Sequence, residues 1–178
     1  TVPYDGIYTI KAYGARSGNH SPDEGGNGKI ISVNYSLNQG EVIEILVGQM
    51  GGFNDSNKVA GGGGTFVVKS GGNSTDDILV IAGGGGGQGG VTVSADANAS
   101  STICSNNGSQ NDGNCLGDGG GASSYSGGGG GGFFTSGENN TNACSAGGGG
   151  KGYLQGGEGG GPCNNKGNGG FGGGGSGG

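Results

Sequence analysis

Seven asparagines stand in Asn-X-Ser/Thr triplets: Asn19, Asn34, Asn54, Asn73, Asn98, Asn107 and Asn139. The triplet is the acceptor for an N-linked glycan and has physical meaning only in a secreted chain. Eighteen asparagines at this Ser and Thr content give roughly three such triplets by composition, so seven is an excess. The bland reading is that a chain rich in Asn, Ser and Gly generates them without use.

Four cysteines, Cys104, Cys115, Cys144 and Cys163, all lie in the second half. None forms Cys-X-X-Cys and the only histidine is His20, so the set does not read as a zinc site. Two disulfides are the better reading, with three connectivities open. Cys104–Cys115 with Cys144–Cys163 is favoured because both bridges close short loops. Each would contribute about 2–4 kcal/mol.

Other patterns carry less. The run 83–90, GGGGGQGG, lacks the Gly-Lys-Ser/Thr ending of a phosphate-cradling loop. Residues 111–120, NDGNCLGDGG, offer oxygen ligands but not the calcium-loop spacing, and read as a solvated turn. His20 sits in a loop, and Ser123, Ser124 and Ser126 have no second histidine to serve as base. Asp76 and Asp77 read as a charged strand entrance. No catalytic residue, cofactor site or metal site is expected, and the chain does not read as an enzyme.

The elements that must carry these residues are unusual. The chain has 178 residues, of which 55 are glycine, against about 7% in ordinary proteins. Three prolines and no Gly-X-Y register exclude a collagen triple helix. Hydrophobic residues make up 28%, tryptophan is absent, and the core is therefore modest. A net charge of −6 with seven basic residues argues against nucleic acid or an anionic membrane as partner. No apolar run reaches the roughly 18–20 residues of a membrane span. The chain opens on Thr1 without a signal-like stretch, which reads as a processed chain or an excised fragment.

The first half alternates as strands do. Residues 6–15 place Tyr8, Ile10 and Ala12 on one side and Ile7, Thr9, Lys11 and Tyr13 on the other. A loop is expected over 17–28 and a strand over 29–37. The triplet Asn38-Gln39-Gly40 turns the chain into a third strand over 41–49. Residues 65–69 and 77–82 form a pair around a turn. Their β-branched content and short connectors predict an antiparallel β-sandwich, and no segment has helical periodicity.

From residue 83 glycine tracts dominate, after an earlier one at 61–64. They are interleaved with cysteines and aromatics, which is unlike a linker. Glycine can instead form left-handed extended helices of three residues per turn, whose backbones bond to one another in a hexagonal bundle. The entropic cost of ordering glycine is severe, and strands and disulfides would offset it. Tyr125, Phe133, Phe134, Tyr153 and Phe171 either plug such a bundle or form an exposed patch; plugging is favoured.

The order of YTIKAYGARSG, GEVIEILVGQMG, AGGGGTFVVK and ILVIAGGGGGQGG resembles the extracellular glycine-rich domain of the anaplastic lymphoma kinase and leukocyte tyrosine kinase receptors. The similarity runs from about residue 4 to 178 and is strongest over 6–90. It implies an all-β fold: a tumour-necrosis-factor-like antiparallel β-sandwich with an inserted bundle of polyglycine-II helices. One domain over 1–178 is then expected, mainly sandwich strands over 1–82 and mainly polyglycine helices and disulfide-bonded loops over 83–178. The family's domain continues into a final strand, whereas this sequence stops at GGFGGGGSGG. An open sheet edge is therefore expected, completed by a neighbouring subunit or a later segment. Receptor ligand contacts do not transfer, because no motif marks them.

The expected role is a non-enzymatic structural or assembly module of a glycosylated extracellular surface or filament. Its partners would be protein, by self-assembly or through a neighbouring subunit, together with covalent N-glycans. Neither nucleic acid nor direct membrane insertion is expected. The alternative is the ligand-binding part of a receptor-tyrosine-kinase-like ectodomain, and the third is a phage-type adhesin tip.

Overall fold

The structure is a computed structural model that describes residues 1–18, 25–53, 58–89, 117–122, 128–140, 148–162 and 167–177. Alternation builds the first pair. β1, Gly6–Tyr13, runs antiparallel to β2, Ile30–Leu37, in a register that sets Tyr8 opposite Tyr35 and Ala12 opposite Ile31. Tyr8, Ile10, Ala12, Ile31, Val33, Tyr35 and Leu37 face inward, as their period-two spacing predicts. The outer face carries Thr9, whose hydroxyl donates to Oδ1 of Asn34 across the ladder at 2.8 Å.

The turn after β2 is the expected one. Gly40 has φ +90°, and the Glu41 carboxylate accepts the Asn38 N–H at 3.0 Å. β3, Ile43–Leu46, is shorter than the expected strand over 41–49. Beyond Leu46 the ladder stops, and the Gly48 N–H donates to the Thr65 hydroxyl oxygen at 3.0 Å rather than to a backbone carbonyl. The Gln49 N–H, on the outer edge, bonds to Phe171 O at 2.7 Å.

The central strand is β5, Thr65–Lys69, flanked by β3 on one side and β6, Ile78–Ala82, on the other. The first four residues of β5 are buried on both faces, which explains why it reads as a continuous apolar run rather than an alternation. A bulge at Val67/Val68 shifts its register with β6. Asp77, expected at the start of this last strand, instead ends a 3-10 turn at Thr75–Asp77. A short ladder, β4 (Lys58–Val59) with β7 (Gln88–Gly89), was not legible because two residues carry no pattern. Among the described residues the only helical elements are three-residue 3-10 turns.

Two cores lie on the two faces of the three-stranded sheet. On one face Val67, Leu79, Val80 and Ala82 pack against the inward residues of β1 and β2. On the other, Phe66 and Val68 pack with Phe133, which is fully buried, and with Phe134 and Tyr153. The Phe133 and Tyr153 rings stack at 5.1 Å, and Phe134 meets Phe133 edge-on at 4.9 Å. The aromatics Phe133, Phe134 and Tyr153 thus join the glycine-rich half to the sheet. Phe171 is exposed, and Tyr125 lies outside the described residues.

The glycine segments are packed structure. Segment 59–64 bonds to four others: Ala15 N–H to Gly63 O at 2.9 Å, Gly63 N–H to Gln49 O at 2.9 Å, Gly62 N–H to Gly85 O at 2.8 Å, and Gly61 N–H to Gly175 O at 3.0 Å. A second group centres on 128–132. Gly120 N–H donates to Gly130 O at 2.7 Å, Gly150 N–H to Gly129 O at 2.9 Å and Gly131 N–H to Gly173 O at 2.6 Å. A β-strand has two edges and so two bonding neighbours; these segments have more. Residues 17–18 and 25–28, expected as part of a loop, belong to the same network through Ser17 N–H to Gly26 O at 2.9 Å.

Candidate functional site

An open groove of about 630 Å³ runs along the outer side of β3. Its floor is Glu44, Ile45, Leu46 and Val47. The β5–β6 hairpin closes one end with Gly71, Gly72 and Asn73, and Tyr153, Leu154 and Phe171 supply the far wall and end. The local sequence makes each part. Gly71, at φ +72°, lets the hairpin fold back over Glu44, and a 3-10 turn at Tyr153–Gln155, ended by Gly156 at φ +98°, presents Tyr153 and Leu154.

Glu44 is the polar centre. Its Oε1 accepts the Ser70 hydroxyl at 2.7 Å and the Gly71 N–H at 3.2 Å, and its Oε2 accepts the Tyr153 hydroxyl at 3.0 Å. The Ser70 hydroxyl, then the Tyr153 hydroxyl and the Gly71 amide, hold its carboxyl below the ordinary range. Tyr153 is pushed the other way, to about 12, first by burial and then by the hydrogen bond to Glu44 and its charge.

The signs give a pH prediction. The folded state keeps the Tyr153 proton up to about 12, while the unfolded chain releases it near 10.0. Stability from this group is therefore complete below about pH 10 and falls as pH rises toward 12. Replacing Glu44 with Gln should lower the Tyr153 transition in a phenolate absorbance titration, read as the difference from a Tyr153→Phe variant. An unchanged titration would mean that burial alone sets the shift.

Three of the seven candidate glycan acceptors are described, and all three are exposed: Asn34 in mid β2, Asn73 in the β5–β6 hairpin, and Asn139 beside the glycine tract 148–150. Asn139 uses Oδ1 to accept the Gly149 N–H at 2.8 Å, and Asn34 likewise engages Oδ1, so neither bond consumes the nitrogen that a glycan would occupy. Asn73 also lines the groove. Asn19, Asn54, Asn98 and Asn107 lie outside the described residues, as do Cys104, Cys115, Cys144 and Cys163, with His20, Ser123, Ser124 and Ser126.

Asp77 has a structural role: its Oδ2 accepts the Ser74 hydroxyl at 2.6 Å and caps the 3-10 turn. The run 83–87 does not present free amides to an anion at Gly85, whose N–H donates to Ala15 O at 2.8 Å. No cluster of metal-binding side chains occurs among the described residues, nor is there a helix among them long and apolar enough to cross a membrane. The Glu44–Tyr153 pair was missed from sequence because its members are 109 residues apart and no local pattern links them. No family model matches the chain, and no curated protein matches it.

Proposed function

We propose that this chain is a non-enzymatic structural and assembly module of a glycosylated extracellular surface or filament. The observation that carries the reading is the lateral bonding of the glycine segments, backbone to backbone, across both halves of the chain. Such a network ties up N–H and C=O groups with no side chain between segments and favours a stiff body. The exposure of Asn34, Asn73 and Asn139 supports a sugar coat.

In this reading the fold is a tumour-necrosis-factor-like sandwich carrying polyglycine-II helices. Support comes from segments with more than two bonding neighbours and from the spacing of room along a tract. A Cβ at Gly61 or Gly64, three residues apart, would sit 3.4 or 3.2 Å from its nearest neighbour. At Gly62 and Gly63, between them, it would collide with backbone. Three residues per turn is the period of that helix.

Secretion from a eukaryotic host tests the function. Glycosidase-sensitive mass at Asn34, Asn73 and Asn139, with concentration-dependent assembly in sedimentation velocity, is the expected result. An unglycosylated chain that stays monomeric up to about 100 μM, well above ordinary working affinities, would overturn it. The groove along β3 favours a second reading, the ligand-binding part of a receptor-like ectodomain. Tandem repeats of this domain in the parent chain would support the scaffold, and a kinase in that chain would support the receptor.

A further inference from the structure

The outer edge of β3 is a bounded opening. Ser70 N–H donates to Val42 O at 2.8 Å, which fixes the even-numbered residues of the strand as those bonding toward β5. The odd-numbered residues therefore direct their N–H and C=O groups outward. At Glu41 that edge is occupied, since its carbonyl accepts the Val2 N–H at 2.8 Å. At Gln49 it is occupied again, by Phe171 O at 2.7 Å. Between them Ile43, Ile45 and Val47 have no outward backbone partner among the described residues.

The side chains there are apolar and uncovered. Ile45 is 65% and Val47 62% exposed, although they share the face on which Ile43 and Val67 meet the core. The reason lies in the layers: β1 and β2 pack over β6, and β1 also over β5, and among the described residues no strand covers β3 at Ile45 and Val47. The other edges of the first sheet are protected. The outward-bonding residues of β1 include Lys11, which lies over the Tyr13 ring at 5.1 Å. Those of β2 include Asn34, an acceptor for a glycan. Charge or bulk at an edge discourages strand addition, and the outward-bonding residues of β3 carry neither.

We propose that residues 43–47 accept an extended five-residue segment of a partner protein, apolar on alternate positions, with one Lys or Arg opposite Glu44. The proposal deepens the assembly reading by giving the partner's chemistry. Strand addition supplies up to six backbone bonds from Ile43, Ile45 and Val47. In antiparallel pairing, residues directly opposite share a face. A partner side chain opposite Leu46 thus lies over the groove with Leu154 and Phe171, and the one opposite Glu44 meets a carboxylate. Ser70, Gly71 and Tyr153 hold that carboxylate ionised and oriented, and among the described residues no basic side chain lines the groove. A second copy's β3 is a poorer fit, because antiparallel pairing centred on Ile45 would set Leu46, and no basic residue, opposite Glu44.

The probe is the peptide Ser-Gly-Val-Leu-Val-Lys-Val-Gly-Ser, compared with a version bearing Glu for Lys, against the full chain. Amide exchange at Ile43, Ile45 and Val47 should slow with the Lys peptide, and the Lys peptide should bind about three- to fivefold tighter at low salt. Glu44→Lys should reverse that order. Ile45→Pro, which removes an outward N–H and no ladder bond, should abolish binding while circular dichroism stays unchanged. Undiminished binding to Ile45→Pro, or no binding by the wild-type chain at about 2 mM peptide, a level that would register even millimolar affinity, overturns the proposal. Protection of the same amides by raising protein concentration alone overturns it in favour of self-pairing. Peptide binding by a chain that fails to assemble would leave this site standing and remove the scaffold reading.

Discussion

Truncating Phe133 to alanine is expected to destabilise the fold by about 3–5 kcal/mol. The side chain is fully buried and stacks on Tyr153, which in turn lies 5.4 Å from the Phe66 ring. It comes from the glycine-rich half and fills the second face of the sheet with Phe66 and Val68. Among the described residues of that half, Phe134 and Tyr153 are the other large side chains packed there, so the surrounding backbone has little with which to fill the cavity. The half-buried Phe134 should cost clearly less. Denaturant melts of both variants measure the difference, and equal small losses would mean that the glycine-rich half is held by its backbone bonds alone.

Gly129→Ala is expected to cost about 2–3 kcal/mol by overpacking. The new methyl would land on the Gly120 carbonyl. That carbonyl cannot step aside, because it accepts the Glu138 N–H at 3.0 Å while the Gly120 N–H donates to Gly130 O at 2.7 Å. The next residue is an internal control: a Cβ on Gly130 meets its nearest atom, Gly173 O, at 3.4 Å. Gly161 has nothing within 4 Å. Alanine at Gly130 should cost little, and at Gly161 it should be neutral or stabilise by about 0.4–1 kcal/mol through the unfolded chain. The amides of Gly129, Gly131, Gly137 and Gly150 should also resist hydrogen exchange. Random-coil exchange there, or equal effects at Gly129 and Gly161, would refute close packing.

The strands were legible where side chains alternate. β1 and β2 were readable because their residues alternate, and the sets Tyr8, Ile10 and Ala12, and Ile31, Val33 and Tyr35, each share the face that packs on the core. β5 was readable from its β-branched run, and its burial on both faces accounts for the lack of alternation. β3 was over-extended because its apolar run continues through Val47, while just past its end the Gly48 N–H goes to the Thr65 hydroxyl, a partner that no local pattern announces.

By itself the sequence determined that this chain is all-β in character, glycine-built and acidic, since these follow from local periodicity and composition. It also marked the candidate acceptor asparagines, since that triplet is a matter of three consecutive residues. Only the tertiary structure decided which glycine bonds to which, because glycine carries no side chain to encode a partner and the choice rests on backbone groups brought together over long separations. The same holds for the Glu44–Tyr153 groove and for the unroofed stretch of β3. Both arise from how a two-stranded layer, a three-stranded layer and a glycine-built layer happen to overlap, and overlap is a property of packing rather than of any segment.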